Sequence, residues 1–177
     1  MVRILLGLLL AGCMQASEAP ALRSPDVRFE PSPPEVVEAM LALGRVGPGD
    51  VVFDLGCGDG RIVIAAVRRG ARGVCVDIDP RRIAEARGNA RDAGIAERIA
   101  FLNQDLLTTD LAPATVVMLF LSLDLNIRLR PKLLRELKPG ARIVSHWHAM
   151  GDWTPEKSLD VKSAYRYHPV YLWTVLH

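Results

Sequence analysis

The 177 residues are enough for one domain with its own core, and half of them are apolar. The formal net charge of +2 gives no indication of nucleic-acid binding. The three cysteines, Cys13, Cys57 and Cys75, have neither the spacing of a metal site nor the pattern of a disulfide framework. We therefore expect Cys57 to be a free thiol.

The N-terminus has the pattern of an export signal. One positive charge at Arg3 precedes a short apolar run at 4–10, too short to span a bilayer but typical of a signal segment. Leu10-Ala11-Gly12-Cys13 resembles a bacterial lipobox, which implies cleavage after residues 1–12 and membrane anchoring through a lipidated Cys13. The alternative is a leader that is no signal, for example from a misassigned start codon, which would leave the protein in the cytoplasm.

The composition then changes towards a folded domain. Residues 13–28 are rich in Ala, Ser, Pro and charge, which is typical of a flexible tether, and we expect the domain at 29–177. Pro34 suits the first turn of a helix that ends near Gly44.

A strand, a glycine turn and a helix follow. Three β-forming residues lead into Asp54, and Gly56, Gly58 and Gly60 stand at alternate positions before an apolar helix. Glycines there allow a positive φ and close approach of a ligand, and the helix start presents free N–H groups. The spacing is G-x-G-x-G rather than G-x-G-x-x-G, which disfavours a dinucleotide site.

The second strand ends in Asp77, where a carboxylate can accept hydrogen bonds from both hydroxyls of a ribose. Asp79 and Pro80 suit the N-cap and first position of the next helix. A third strand at 99–103 runs into Asp105.

The second half continues the alternation. Residues 115–121 are uniformly apolar, as in a buried parallel strand. Leu129, Leu133 and Leu137 mark a helix, and its basic residues are expected to be solvated: Arg130, Lys132, Arg135 and Lys138. A fifth strand at 141–146 is followed by two β-like runs, with little room for a helix before them.

The run from Asp54 to Gly60 resembles motif I of class I S-adenosylmethionine-dependent methyltransferases. The segments at 31–33, 129–140 and 145–153 are similar to a bacterial branch of that family. That branch is similar to the mitochondrial protein-lysine methyltransferases of ATP synthase c-subunit and adenine nucleotide translocase. The resemblance covers about residues 29–153 and implies an α/β, Rossmann-like, doubly wound and mostly parallel seven-stranded sheet.

The resemblance also implies a binding site for S-adenosylmethionine. Its cofactor-binding residues would be Pro31, Ser32, Asp54, Gly56, Gly58, Asp59, Asp77, Ile78, Gln104, Asp105 and Leu106. Asp77 would bind the ribose, Asp105 the adenine amino group, and Ile78 and Leu106 the two faces of the adenine. Structural alternatives remain: a water-facing strand end for Asp77, a turn cap for Asp105, and a plain helix start at Pro31 and Ser32.

Methyl transfer from a sulfonium mostly requires alignment and a dry site, so no catalytic triad is expected. A general base helps only when the acceptor arrives protonated. Asp124, His146 and His148 are the nearest candidates. The two histidines stand two apart on an extended stretch and should point the same way, but without a third ligand they predict no metal site.

These features predict an S-adenosylmethionine-dependent methyltransferase, monomeric, that acts on protein lysine rather than nucleic acid. The absence of an inserted cap domain favours a protruding protein side chain. One alternative is an exported lipoprotein that binds a nucleoside-type ligand without turnover. An NAD(P) oxidoreductase is disfavoured by the glycine spacing. The compartment stays open, because S-adenosylmethionine is made in the cytoplasm whereas a lipobox directs the chain outward.

Overall fold

The computed structural model describes residues 23–176, in which seven strands form one sheet. The strands are β1 Val51–Leu55, β2 Arg72–Asp77, β3 Ile99–Asn103, β4 Val116–Leu119, β5 Arg142–His146, β6 Lys157–Ser163 and β7 Arg166–Thr174. Their order is β3-β2-β1-β4-β5-β7-β6, and only the pairings of β7 are antiparallel. The predicted mostly parallel seven-stranded sheet is therefore confirmed.

Helices cover both faces of this sheet. They are α1 Pro34–Leu43, α2 Arg61–Arg68, α3 Pro80–Asp92 and α4 Leu123–Glu136, with a single 3-10 turn at Ala96–Arg98. Because side chains alternate along a strand, Val116 and Met118 pack with α1, whereas Val117 and Leu119 pack with α4. The strand order reverses between β1 and β4, and a crevice opens beyond their carboxyl ends.

Helix α4 differs from its prediction in two respects. It begins at Leu123, well before Leu129, the first leucine of the predicted stripe, because the Ser122 hydroxyl accepts a hydrogen bond from the Leu125 amide at 3.2 Å and caps the first turn. Lys132 was expected to be solvated but is only 9% exposed. Its stem packs inward while its ammonium binds the Glu136 carboxylate at 2.7 and 2.9 Å.

The other bounds shift by a few residues. Strand β4 ends at Leu119, two residues earlier than predicted, and the two predicted β-like runs form β6 and β7. The connection at 147–156 contains no helix, as its shortness predicted.

The expectation of a free Cys57 is wrong, because Cys57 and Cys75 form a disulfide with a Cα–Cα distance of 5.3 Å. Cys57 lies in the turn just after β1, and Cys75 lies in β2 beside Asp54. The parallel pairing of β1 with β2 brings together two cysteines 18 residues apart. The leader, including the predicted lipobox and Cys13, lies outside the described residues.

Candidate active site

A large cleft lies at the carboxyl ends of β1, β2, β3 and β4 and encloses about 900 Å³, including its open mouth. Ten predicted cofactor residues line it: Pro31, Ser32, Asp54, Gly56, Asp59, Asp77, Ile78, Gln104, Asp105 and Leu106. The eleventh, Gly58, is not part of the lining and lies in the adjoining turn, where its amide donates to Asp77. Successive parallel strands end at the same edge of the sheet, so residues distant in sequence meet there.

The glycine turn after β1 is fastened to β2. The amides of Gly56 and Cys57 donate to the Val76 carbonyl at 2.8 and 3.0 Å, and the Gly58 amide donates to the Asp77 carboxylate at 3.0 Å. Gly58 has a φ of +55°, and a Cβ atom there would lie 2.2 Å from the Phe29 ring. Only glycine fits this position without displacing Phe29.

Asp54 lies at the floor of the cleft and is 2% exposed. Burial raises the pKa of Asp54 to about 8, and the nearby Asp77 and Asp59 carboxylates act in the same direction. Its Oδ2 atom is buried without a hydrogen-bond partner. A buried, unpartnered carboxylate oxygen fits a positively charged group of a ligand.

The neighbouring acid Asp59 is in a different state. Burial alone would raise the pKa of Asp59, but hydrogen bonds from the Arg61 side chain and amide outweigh burial and lower this pKa. The Arg61 Nε atom lies 3.0 Å from both carboxylate oxygens. Arg61 also donates to the Ser32 carbonyl at 3.0 Å and so joins the glycine turn to the wall at Pro31 and Ser32.

Asp77 and Asp79 have the separate places that the sequence predicted. Asp77 lines the cleft and accepts from the amides of Gly58 and Asp79, at 3.0 and 2.9 Å, although burial still raises its pKa. The Asp79 carboxylate caps α3 by accepting from the Arg81 amide at 2.9 Å.

Residues 23–30, here called the strap, lie across the mouth of the cleft. Arg23 binds Asp105 through Nε at 2.6 Å and Nη2 at 3.1 Å, and Arg128 of α4 donates to Asp26 at 3.2 Å. Phe29 sits over the glycine turn. The sequence indicated only a tether for most of this segment, and the aromatic Phe29 among polar residues was the one signal of packing.

Asp105 caps the turn after β3, as one of its two predicted roles requires, and it also lies in the cleft where the other role would place it. It lines the cleft, and its Oδ1 atom accepts from the Leu107 amide at 2.9 Å in the turn after β3. Although burial opposes the shift, hydrogen bonds from Arg23 and the Leu107 amide lower the pKa of Asp105. Asp105 is therefore ionised and already paired with the strap.

A second cavity, of about 590 Å³ including its open mouth, adjoins the cleft. Its lining consists of Arg28, Glu30, Phe120, Leu121, Trp147, His148 and Arg166. The first four of these also line the cleft. Phe120 and Leu121 directly follow β4, so the two cavities meet where that strand ends.

Two of the predicted base candidates lie outside both linings. Asp124 is exposed on the first turn of α4. His146 is 1% exposed and lies between Ser32, 2.9 Å from its Nδ1, and His168, 3.0 Å from its Nε2. Burial lowers the pKa of His146 to about 3, so this ring is neutral and holds the cleft wall in place.

The expectation that the two histidines share a side is wrong, because Trp147 between them has a φ of +71° and ends the extended backbone. His148 therefore turns into the second cavity, where burial lowers its pKa. Within residues 23–176, no group of three potential ligands could hold a metal ion, and none of the helices is long and apolar enough to cross a bilayer.

The model of the ANTKMT methyltransferase domain family matches residues 54–157, more than half of the chain. This chain belongs to that methyltransferase family. It is similar to the protein-lysine N-methyltransferase of Saccharolobus islandicus (strain REY15A), with 39% identity over 153 residues, 85% of this chain and 95% of that protein.

The mitochondrial relatives are longer. The human lysine N-methyltransferase of the ATP synthase c-subunit is 31% identical over 77% of this chain and 58% of its own length. The mouse adenine nucleotide translocase lysine N-methyltransferase is 38% identical over 67% of this chain and 52% of its own length. The methyltransferase thus spans little more than half of these two relatives.

A crystal structure of an RNA methyltransferase from Salinibacter ruber in complex with S-adenosyl-L-homocysteine has a TM-score of 0.80. It is 45% identical, covering 84% of this chain and 95% of that one. The methyltransferase therefore uses S-adenosylmethionine, and its cleft fits that cofactor. In the bound state, the unpartnered oxygen of Asp54 would bind the ammonium, Asp77 would bind the ribose, and Ile78 and Leu106 would pack on the adenine. When bound, the cofactor supplies a methyl group on a sulfonium, with a neutral thioether as leaving group.

Proposed function

We propose that this methyltransferase transfers the methyl group to the side-chain amine of a protein lysine. The observation that carries the proposal is the second cavity, which opens to the surface and meets the cofactor cleft at Phe120 and Leu121. Aromatic and aliphatic walls suit the four methylene groups of a lysine, whose nitrogen alone must reach the methyl group. Alignment of those two atoms is the main requirement of the reaction.

Similarity to proteins named as lysine methyltransferases supports the same acceptor class. The archaeal relative is matched over nearly its whole length, and its name specifies protein lysine. The mitochondrial relatives are matched over a smaller part, so their individual acceptors are not carried over.

The test uses purified protein, methyl-labelled S-adenosylmethionine and separate membrane and soluble extracts of the native host. We expect labelled protein bands, and methyl-lysine after acid hydrolysis. An Asp77→Asn variant serves as the control, because this nearly isosteric change removes the negative charge and one acceptor oxygen of the proposed ribose contact. Label in small molecules alone would contradict the proposal.

RNA is the second candidate acceptor, favoured by the similarity to the Salinibacter ruber RNA methyltransferase. The aromatic rings of Phe120 and Trp147 in the second cavity could stack on a base. Treating the labelled extract with ribonuclease or protease separates the two, because only one treatment releases the label. The nearly balanced charge favours a protein, since RNA binding usually requires a strongly basic surface.

We further propose export and lipid anchoring through Cys13, in a monomeric protein. The Cys57–Cys75 disulfide supports this location, because disulfides persist mainly in oxidising compartments. Mass spectrometry of the mature N-terminus in the native host tests the proposal, and an unprocessed Met1 would contradict it. The alternative of a lipoprotein without turnover gains no support from the comparisons.

A further inference from the structure

The charged groups around the second cavity leave an excess of positive charge. Arg28 and Arg166 face Glu30 as the only carboxylate of the lining. The ring of His148 adds no charge near neutral pH, because burial lowers its pKa. Two cations and one anion give a net charge of +1.

Arg166 is held at this position by two contacts. Its Nη2 atom lies 3.2 Å from the Glu30 carboxylate, and its guanidinium carbon lies 5.1 Å from the centroid of the Trp147 ring. The left-handed backbone of Trp147 turns its indole towards Arg166. The Glu30 carboxylate therefore weakens the electrostatic field of Arg166 in the cavity but leaves the field of Arg28 unchanged.

Behind the cavity wall lies a second pair of titratable groups. The His146 ring stacks on Phe120 at 3.9 Å and reaches His168, which lies near Arg166, Glu30 and Glu35. Burial lowers the pKa of both histidines, so they add no charge either. Within the lining of this cavity, as residues 23–176 describe it, the two arginines therefore outnumber the one carboxylate, Glu30.

A lysine reaches the protein as an ammonium, which has no lone pair and cannot attack a methyl group. A nearby cation lowers the pKa of an amine because it destabilises the charged form. We propose that Arg28 and Arg166 lower the pKa of the acceptor lysine in this cavity, so that it loses its proton to bulk water and not to a side-chain base. This inference rests on the proposed lysine acceptor.

The balance of the step is simple. The neutral amine uses its lone pair to form the N–CH₃ bond, while the bond between sulfur and that methyl carbon breaks and its electron pair stays on sulfur. The products are a methylated ammonium and a neutral thioether, and the one proton released is the one that the lysine lost to water before the attack. The positive charge thus moves from sulfur to nitrogen, and no side chain has to accept a proton.

The test measures the pH dependence of the single-turnover rate on a peptide in which wild-type protein forms methyl-lysine. The acidic limb of this profile reports the ionisation of the bound amine. We expect Arg28→Gln and Arg166→Gln each to move the limb to higher pH by about half a unit, and Glu30→Gln to move it to lower pH by a similar amount. A unit charge about 7 Å away in water produces a shift of this size. Higher salt should shrink all three shifts.

His148→Asn is the matched control, because it removes the one neutral base of the lining without changing charge. If the proposal holds, its profile keeps the limb. Loss of the limb in this variant, or arginine and glutamate variants that shift in the same direction or not at all, would overturn the inference while leaving the lysine acceptor intact. Failure of wild-type protein to form methyl-lysine on any peptide or extract overturns the proposed function itself, and the inference with it. All three charged side chains are exposed, so the variants are expected to fold.

Discussion

Removing the disulfide should cost a substantial part of the stability of this domain. The perturbation is the double variant Cys57→Ala/Cys75→Ala, in which both cysteines are replaced so that no buried free thiol remains. The cross-link joins residues 18 apart, and closing a loop of that length in the unfolded chain corresponds to about 3 kcal/mol. In a domain of this size that is a loss of about 6–12 °C in Tm.

Cofactor affinity should change much less. In the absence of the disulfide, the amides of Gly56 and Cys57 still donate to Val76, and the Gly58 amide still donates to Asp77. The glycine turn therefore keeps three of its links to β2. We expect the Kd for S-adenosylmethionine to rise by less than about tenfold, because no ligand-facing polar group is removed.

Guanidinium unfolding with and without a thiol reductant measures the effect, and calorimetry measures the Kd. A Cys13→Ala variant is the control, since it keeps both bridge cysteines. Reductant should lower the midpoint of wild-type protein and of this control but not that of the double variant. The reasoning would be refuted if reductant left the unfolding midpoint of the wild type unchanged. Detection of two free thiols, at positions 57 and 75, in freshly purified protein would refute it as well.

Four further predictions concern the cleft. Because burial raises the pKa of Asp54 to about 8, its carboxyl is protonated at pH 7. Binding of the cationic cofactor should release this proton. Calorimetry in buffers of different ionisation enthalpy measures the release. Asp54 ionises near pH 4 in the unfolded chain but only near pH 8 in the folded protein, so the folded state loses stability as pH rises between these two values. The unfolding midpoint of Asp54→Asn should therefore depend less on pH over that window than the midpoint of the wild type. Gly58→Ala should weaken cofactor binding at least tenfold in calorimetry, whereas Gly88→Ala, in α3 with open space around it, should raise stability by up to about 1 kcal/mol in denaturant unfolding. Arg23→Ala frees Asp105 and should tighten cofactor binding by about two- to fivefold in the same titration.

Each of these has a clear contrary result. Proton uptake on binding would contradict the assigned state of Asp54, as would a midpoint for Asp54→Asn that falls with pH like that of the wild type. Equal affinities in the Gly58→Ala and Gly88→Ala variants would show that the glycine turn does not approach the cofactor. Weaker binding by Arg23→Ala would mean that Arg23 contacts the cofactor directly instead of competing for Asp105.

The cleft was predictable because it follows from the order of strands. Asp54, Asp77 and Asp105 each stand at or just beyond the end of an apolar strand, and parallel strands end at one edge of a sheet. The chain therefore reveals which residues meet there, although they are more than twenty positions apart.

Other features depend on contacts through space that no local pattern carries. The bond between Cys57 and Cys75 depends on the register of β1 against β2, and Lys132 is buried because Glu136 lies one turn further along its own helix. The left-handed backbone of Trp147 interrupts a sequence that reads as continuous strand. Arg23 stands in a stretch with the composition of a tether, and its position at the cleft follows from its ion pair with Asp105.

The strap places Arg28 and Glu30 in the linings of both cavities. An acceptor bound in the second cavity would therefore contact the same short segment of chain as the donor in the cleft. If either molecule orders this segment on binding, it raises the affinity for the other by the same factor, since thermodynamic coupling is reciprocal. The proposed lysine acceptor would then bind more tightly to protein that already holds the donor.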